Sequence, residues 1–237
     1  MKNILLLTAL ISSPLQSYAE GFSLTEPYKV SHSLQIISEK ELNVPKELQQ
    51  QTLKIQQEMK QKGYHETNNR YAKFLLGIKR NATDEIRAYR GTQNKVDSHL
   101  KQNFQEIQLA FEFKKLPIDN NAVIGYAPVG SYVKSPKEGW NGIKVFFEDR
   151  NIGICAYEFT DLNLSNGGVM LTKEYTKYIV NNKPTFISVE GSDENGYIYS
   201  VRWYNSIKVS TVDCATLKYD KTITKKMIML AEQIDKR

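Results

Sequence analysis

The spacing of apolar residues changes at Pro117, and this change constrains the fold more than any other feature of the chain. Before it, apolar side chains recur every three to four residues, the repeat of a helix with one buried face. After it they alternate, the repeat of strands with one buried face. Proline lacks the amide a continuing helix needs, so it marks the boundary.

On the helical side, Pro45 suits a first turn, and Leu48, Thr52, Ile55 and Met59 follow at helical spacing until Gly63. Tyr71, Phe74, Leu75 and Ile78 form a second face. Thr83 is a candidate N-cap for a third and longest helix, with Ile86, Tyr89, Val96, Leu100, Phe104, Ile107 and Phe111 in one stripe that runs to Lys115. Ahead of these, Tyr28, Val30, His32, Leu34 and Ile36 alternate with polar residues and read as a strand.

Beyond Pro117, short strands are expected at 123–126 and 131–134, then at 143–147 and 152–160. Residues 169–180 fit either a strand or a short helix. Strands at 185–190 and 197–204 flank a hairpin loop at 191–196, and another strand follows at 207–213. Ile223, Met227, Leu230 and Ile234 predict a terminal amphipathic helix capped near Thr222. The expected class is α+β: an N-terminal helical segment with a long amphipathic helix, then a mainly antiparallel sheet and a C-terminal helix.

The first 19 residues read as an address rather than as part of the fold. Lys2 supplies a positive start, residues 4–11 an apolar stretch, and Ser17-Tyr18-Ala19 a small-residue cleavage site. The apolar stretch is under half of the roughly 20 residues needed to span a bilayer. The domain reading is therefore a signal peptide over 1–19 and one α+β domain over 20–237, its helical part at about 46–115 and its sheet and terminal helix at about 118–237. Export to the periplasm or the outside is expected, without a membrane span. In an oxidising compartment the two cysteines, Cys155 and Cys214, are expected to pair.

Several chemistries find no support. Nucleophilic catalysis of the triad kind needs a histidine beside a nucleophile, and His32, His65 and His99 adjoin no such motif. His65 reads as a solvated loop residue. No close-spaced ligand pairs suggest zinc, and residues 192–195 lack the ligand spacing of a calcium loop. Gly125 and Gly130 bracket a stretch without the lysine of a phosphate loop. No cofactor or metal is expected. The one enzymatic route left is a carboxylate pair drawn from Glu148, Asp149, Glu158 and Asp161.

Charge and aromatic residues point to contact instead. The formal charge is +6, and residues 46–115 hold 14 Lys or Arg against 8 Asp or Glu. Lys79, Arg80, Arg87 and Arg90 are candidate contacts for an anionic surface. Tyr197, Tyr199 and Trp203 share one strand face and read as core, while Arg202 and Tyr204 lie on the other as candidate contacts. Trp140 falls in a glycine-rich stretch expected to be a loop tip and is a further candidate. The resulting expectation is an exported protein of the bacterial envelope or a secreted docking factor. It would act by binding a protein partner or an anionic envelope surface, and not nucleic acid. A small hydrolase using a carboxylate pair, or an inhibitor or immunity-type protein, are the alternatives.

Overall fold

The computed structural model describes residues 34–38, 45–78, 103–176 and 178–236. Strand β1 (Leu34–Ile37), helix α1 (Lys46–Lys62), strand β2 (His65–Glu66) and helix α2 (Tyr71–Gly77) come first. Then follow β3 (Val123–Val133), β4 (Gly139–Asp149), β5 (Gly153–Asp161), β6 (Val169–Thr172), β7 (Tyr178–Val180), β8 (Lys183–Ser192), β9 (Gly196–Asn205) and β10 (Lys208–Thr216). Helix α3 (Lys221–Asp235) closes the chain. The main sheet has the order β2-β8-β9-β10-β5-β4-β3, with β7 also on β8. Its pairings are antiparallel except for β2 on β8. Strands β1 and β6 form a separate parallel pair. The chain is thus α+β, as its periodicity predicts.

Alternation along each strand divides the sheet into two faces. One face carries Ile143, Val145 and Phe147 of β4, Tyr157 of β5, Val212 of β10 and Tyr197, Tyr199, Val201 and Trp203 of β9, all buried in one cluster. Helix α3 covers it with Ile223, Met227, Leu230, Ala231 and Ile234. The aromatic residues of β9 are therefore core, as expected. The N-cap of α3 is Asp220, whose carboxylate accepts from the Thr222 amide at 2.8 Å.

The opposite face holds two smaller clusters. Tyr71, Ala72 and Leu75 of α2, with Ile78, pack on Ile124, Ala127, Phe146, Ala156, Ile198 and Ala215. Farther along the same strands, Val169 and Leu171 of β6 pack on Tyr204 and Val209, with Leu34 of β1 against them.

Two expectations change, and one open alternative is settled. The described part of the long third helix is not helical. Residues 104–106 make a single 3-10 turn under an Asn103 capping box, and the chain then runs on without a helix, with one isolated bridge from Leu109 to Trp140. Ile107, Leu109 and Leu116 are buried there, and Phe104, Phe111 and Phe113 lean on the main core. The Trp140 amide donates to the Gln108 carbonyl at 2.8 Å and the Ala110 amide to the Trp140 carbonyl at 2.9 Å. Spreading these rings over a sheet face and bonding to β4 outweighs the helical repeat. The segment 79–102 lies outside the described residues. Secondly, 123–126 and 131–134 belong to one continuous strand, β3, bent by two irregularities in its pairing to β4. Thirdly, residues 169–180 resolve into two strands, β6 and β7, rather than a helix.

The signal-peptide segment 1–19 and His32 lie outside the described residues, and only 34–37 of the first expected strand is described.

Candidate functional site

The sheet register gathers polar side chains between the two clusters of the second face. Lys144 of β4 stands opposite Glu158 of β5, Glu158 opposite Thr211 of β10, and Thr211 opposite Arg202 of β9. One step along, Asp213 stands opposite Ser200. These six residues come from four strands and occupy one face because residues two apart on a strand point the same way. They sit between the cluster under α2 and the cluster under β6.

The groups are bonded in pairs. Lys144 Nζ lies 2.7 Å from Glu158 Oε2 and 5.7 Å from the centre of the Tyr71 ring. Ser200 Oγ donates to Asp213 Oδ1 at 2.6 Å, and the Tyr71 hydroxyl reaches Asp213 Oδ2 at 3.4 Å. Arg202 Nε donates to Thr211 Oγ1 at 3.1 Å. The Tyr204 hydroxyl is buried, and Arg202 beside it favours its ionisation by charge and by a side-chain hydrogen bond.

Asp213 and Arg202 each keep some solvent-exposed surface. Burial is nonetheless the largest influence on the ionisation of both. The six residues form a polar floor between the two apolar clusters of this face. Burial pushes the Asp213 carboxyl above the usual range, against the pull of Lys144, Ser200 and Arg202, and Glu158 adds to the rise. For Arg202, burial opposes the charge, while Tyr204, Asp213 and Glu158 favour it and prevail. Burial also pushes the Tyr204 phenol up.

The residues singled out from sequence fare differently. Cys155 and Cys214 are directly opposite on β5 and β10 and form a disulfide. Lys79, Arg80, Arg87 and Arg90 lie outside the described residues, as does His99. Arg202 is on the polar floor. Tyr204 is not an exposed contact: it is 1% exposed and packs under β6. Trp140 is not in a loop. It lies in β4, half-buried, held by Gln108 and Ala110 on one side and paired with Tyr132 of β3 on the other. The four carboxylates proposed as a pair do not converge as expected. Glu148 stands opposite Ile154 at the far end of the β4–β5 hairpin, Glu158 bonds Lys144, and Asp161 caps the following turn and lies 3.5 Å from Lys208. His65 is not a free loop residue, since its Nδ1 lies 2.7 Å from Glu58 Oε2. Asp213, whose carboxyl burial holds above the usual range, has no local sequence signal; only cross-strand register sets it beside Ser200 and near Glu158.

A second feature stands at the end of the β3–β4 hairpin. The Tyr132 ring meets Trp140 edge-on at 5.7 Å and is 43% exposed. Its hydroxyl donates to Glu138 Oε1 at 3.0 Å, and Gln108 Nε2 donates to the Glu138 carbonyl at 3.1 Å. Lys134 and Lys137 are exposed at the tip. At its base, buried Asn141 accepts from the Ser131 amide and donates to the Asp161 carbonyl and Ser165 Oγ.

No family model, curated protein or solved structure matches the chain. Among the described residues no helix is long and apolar enough to cross a membrane, and no group of three His, Cys, Asp or Glu side chains is placed to hold a metal ion.

Proposed function

We propose that the protein is exported and acts by binding, docking on a protein partner of the cell envelope or on a secreted target through the end of the β3–β4 hairpin. The observation that carries this reading is the braced aromatic pair Tyr132 and Trp140. An exposed ring held in place loses little conformational freedom on binding, and Tyr and Trp dominate the energetics of interfaces. The Cys155–Cys214 disulfide and the leader-like first 19 residues support export. Lys79, Arg80, Arg87 and Arg90 remain proposed contacts for an anionic partner surface.

The test places a photo-crosslinking amino acid at Tyr132 in cells that make the protein, with a second probe at exposed Lys218. One dominant protein adduct at position 132, absent at 218 and lost when Trp140→Ala is added, is the expected result. Equal labelling at both positions, or none at 132, would sink the docking surface.

A second reading, a hydrolase with a carboxylate pair, is favoured by one observation: Glu158 and Asp213 share the floor, and Asp213 is held toward its protonated form. Activity against a glycoside panel that disappears in both Glu158→Gln and Asp213→Asn would support it.

A further inference from the structure

The turn after β5 holds a short pattern that neither the hairpin surface nor the polar floor uses. Asp161-Leu162-Asn163-Leu164-Ser165 contains Asn-x-Ser without an intervening proline, the acceptor pattern for an N-linked glycan on an exported chain. Asp161, two residues ahead of the asparagine, extends the match to the longer acidic pattern that bacterial transferases read. The chain's other Asn-x-Thr, at Asn81, has Lys79 in that place and lies outside the described residues. The fold accounts for two of the three polar residues. Asp161 Oδ1 accepts from the Asn163 amide at 3.1 Å, and Ser165 Oγ donates to the Leu162 carbonyl at 3.2 Å and accepts from Asn141 Nδ2 at 3.0 Å. Leu162 roots the turn by packing against the cluster under β6. Asn163 takes part only through its backbone, its carbonyl accepting from the Asn166 amide at 3.2 Å. Its side-chain amide is in no hydrogen bond among the described residues, and the residue is exposed.

We propose that Asn163 is the attachment site of an N-linked glycan. The donor is an oligosaccharide carried on a lipid pyrophosphate at the membrane that the chain crosses. Asn163 Nδ2 attacks the anomeric carbon of the first sugar. The new N–C bond forms, and the bond from that carbon to the phosphate oxygen breaks. The electron pair of that bond leaves with the lipid pyrophosphate, and Nδ2 gives up one proton. The finished turn accommodates the product, because an exposed Nδ2 that holds no bond of the fold loses none when it carries a sugar into solvent. The order of events follows from Ser165. A transferase reads that hydroxyl, and the closed turn engages it in two hydrogen bonds. Transfer therefore precedes closure of the turn, on the chain as it emerges from the membrane. Attachment rests on the export proposed above, since the donor faces the outside of that membrane, and is independent of the hairpin docking surface.

The experiment takes the full-length protein from the cells that make it and reads its intact mass, then the mass and fragmentation of the proteolytic peptide that contains Asn163. The expected result is a chain beginning at Glu20 with the added mass of a sugar chain, located by fragmentation at Asn163. Asn163→Gln should lose the added mass while its near-ultraviolet dichroism stays as in the parent, because the replaced side chain has no described partner. Ser165→Thr keeps the hydroxyl and should keep the sugar; Ser165→Ala should lose it. Bare Asn163 in a chain that begins at Glu20 would overturn the attachment and leave export standing. Bare Asn163 in a chain that retains residues 1–19 would overturn both. Sugar found at Asn81 alone, or an added mass that persists in Asn163→Gln, would also overturn the attachment. Ser165→Ala removes the bond to Asn141 as well, so the parent and Asn163→Gln keep the test decisive if that variant does not fold.

Discussion

The indole Nε1 of Trp203 donates to Asp235 Oδ1 at 2.8 Å, so the last turn of α3 is bonded to the middle of the sheet's buried face. The other carboxylate oxygen accepts from Asn181 Nδ2 at 3.0 Å, and Lys183 pairs with the same side chain. One acid thus ties α3 to β8, β9 and the β7–β8 turn. Trp203 is 2% exposed, so its N–H has no water to turn to. Asp235→Ala should cost about 1–3 kcal/mol, the cost of a buried donor left without a partner. Urea unfolding followed by tryptophan fluorescence reads this directly. Asp235→Asn keeps an acceptor oxygen and should lose less; an alanine variant with an unchanged midpoint would refute the tie.

The disulfide joins residues 59 apart in sequence and links two central strands. Closing a loop of this size in the unfolded chain is worth about 4 kcal/mol in the chain-entropy treatment. A Cys155→Ser, Cys214→Ser double variant should therefore unfold at markedly lower denaturant. Free thiols found by peptide mapping of protein from its native compartment would contradict the bond.

Asn141 is 1% exposed and makes three bonds that join β3, β5 and the turn after β5. Gly130 must lack a side chain there: its φ is +77°, and a Cβ would fall 2.2 Å from Asn141 Oδ1. Asn141→Ala should cost about 1–3 kcal/mol through the orphaned Ser131 amide and Asp161 carbonyl. Gly130→Ala should be destabilising as well, because a left-handed backbone is strained with a Cβ. Hydrogen exchange should rise first at 129–133 in both; protection unchanged there would show that the hairpin is held by other bonds.

Asp213 makes stability depend on pH with a definite sign. Its native carboxyl titrates above the unfolded value, so the folded state binds the extra proton. Its contribution is complete below the unfolded pKa of about 4 and is lost as pH rises through the native value. Lys144, Arg202, Glu158, Ser200 and Tyr71 surround it and set how far the rise extends. Urea midpoints of the parent and Asp213→Asn, measured across pH, should diverge as pH increases, with the parent falling relative to the variant. A constant difference would mean that Asp213 ionises in the native state as it does unfolded.

Much of the fold can be read from local spacing. The alternation in 197–204 is enough to assign Tyr197, Tyr199 and Trp203 to the core, and the stripe at 223–234 is enough to place α3. The cysteines could be paired from their number and the leader-like residues ahead of them. The long third helix could not be judged this way: Phe104, Ile107 and Phe111 fit a helical stripe, yet Leu109, Phe111 and Phe113 fit an extended chain equally well. The contact with Trp140, distant in sequence, decided between them over 103–115. Trp140 itself looked like a loop residue because glycines flank it, whereas those glycines allow neighbouring backbone to approach β4 closely. A Cβ on Gly139 would meet the Leu109 backbone at 2.6 Å.

The class of the fold, the faces of its strands and the covalent link were determined by the sequence alone, because each follows from periodicity or composition within a short window. The polar floor was decided only by tertiary structure. Lys144, Glu158, Thr211, Arg202, Asp213 and Ser200 come from four strands, and each looks like an ordinary polar residue in its own segment. Strand order and register place them side by side, and a shift of one residue in any strand would turn its members to the opposite face.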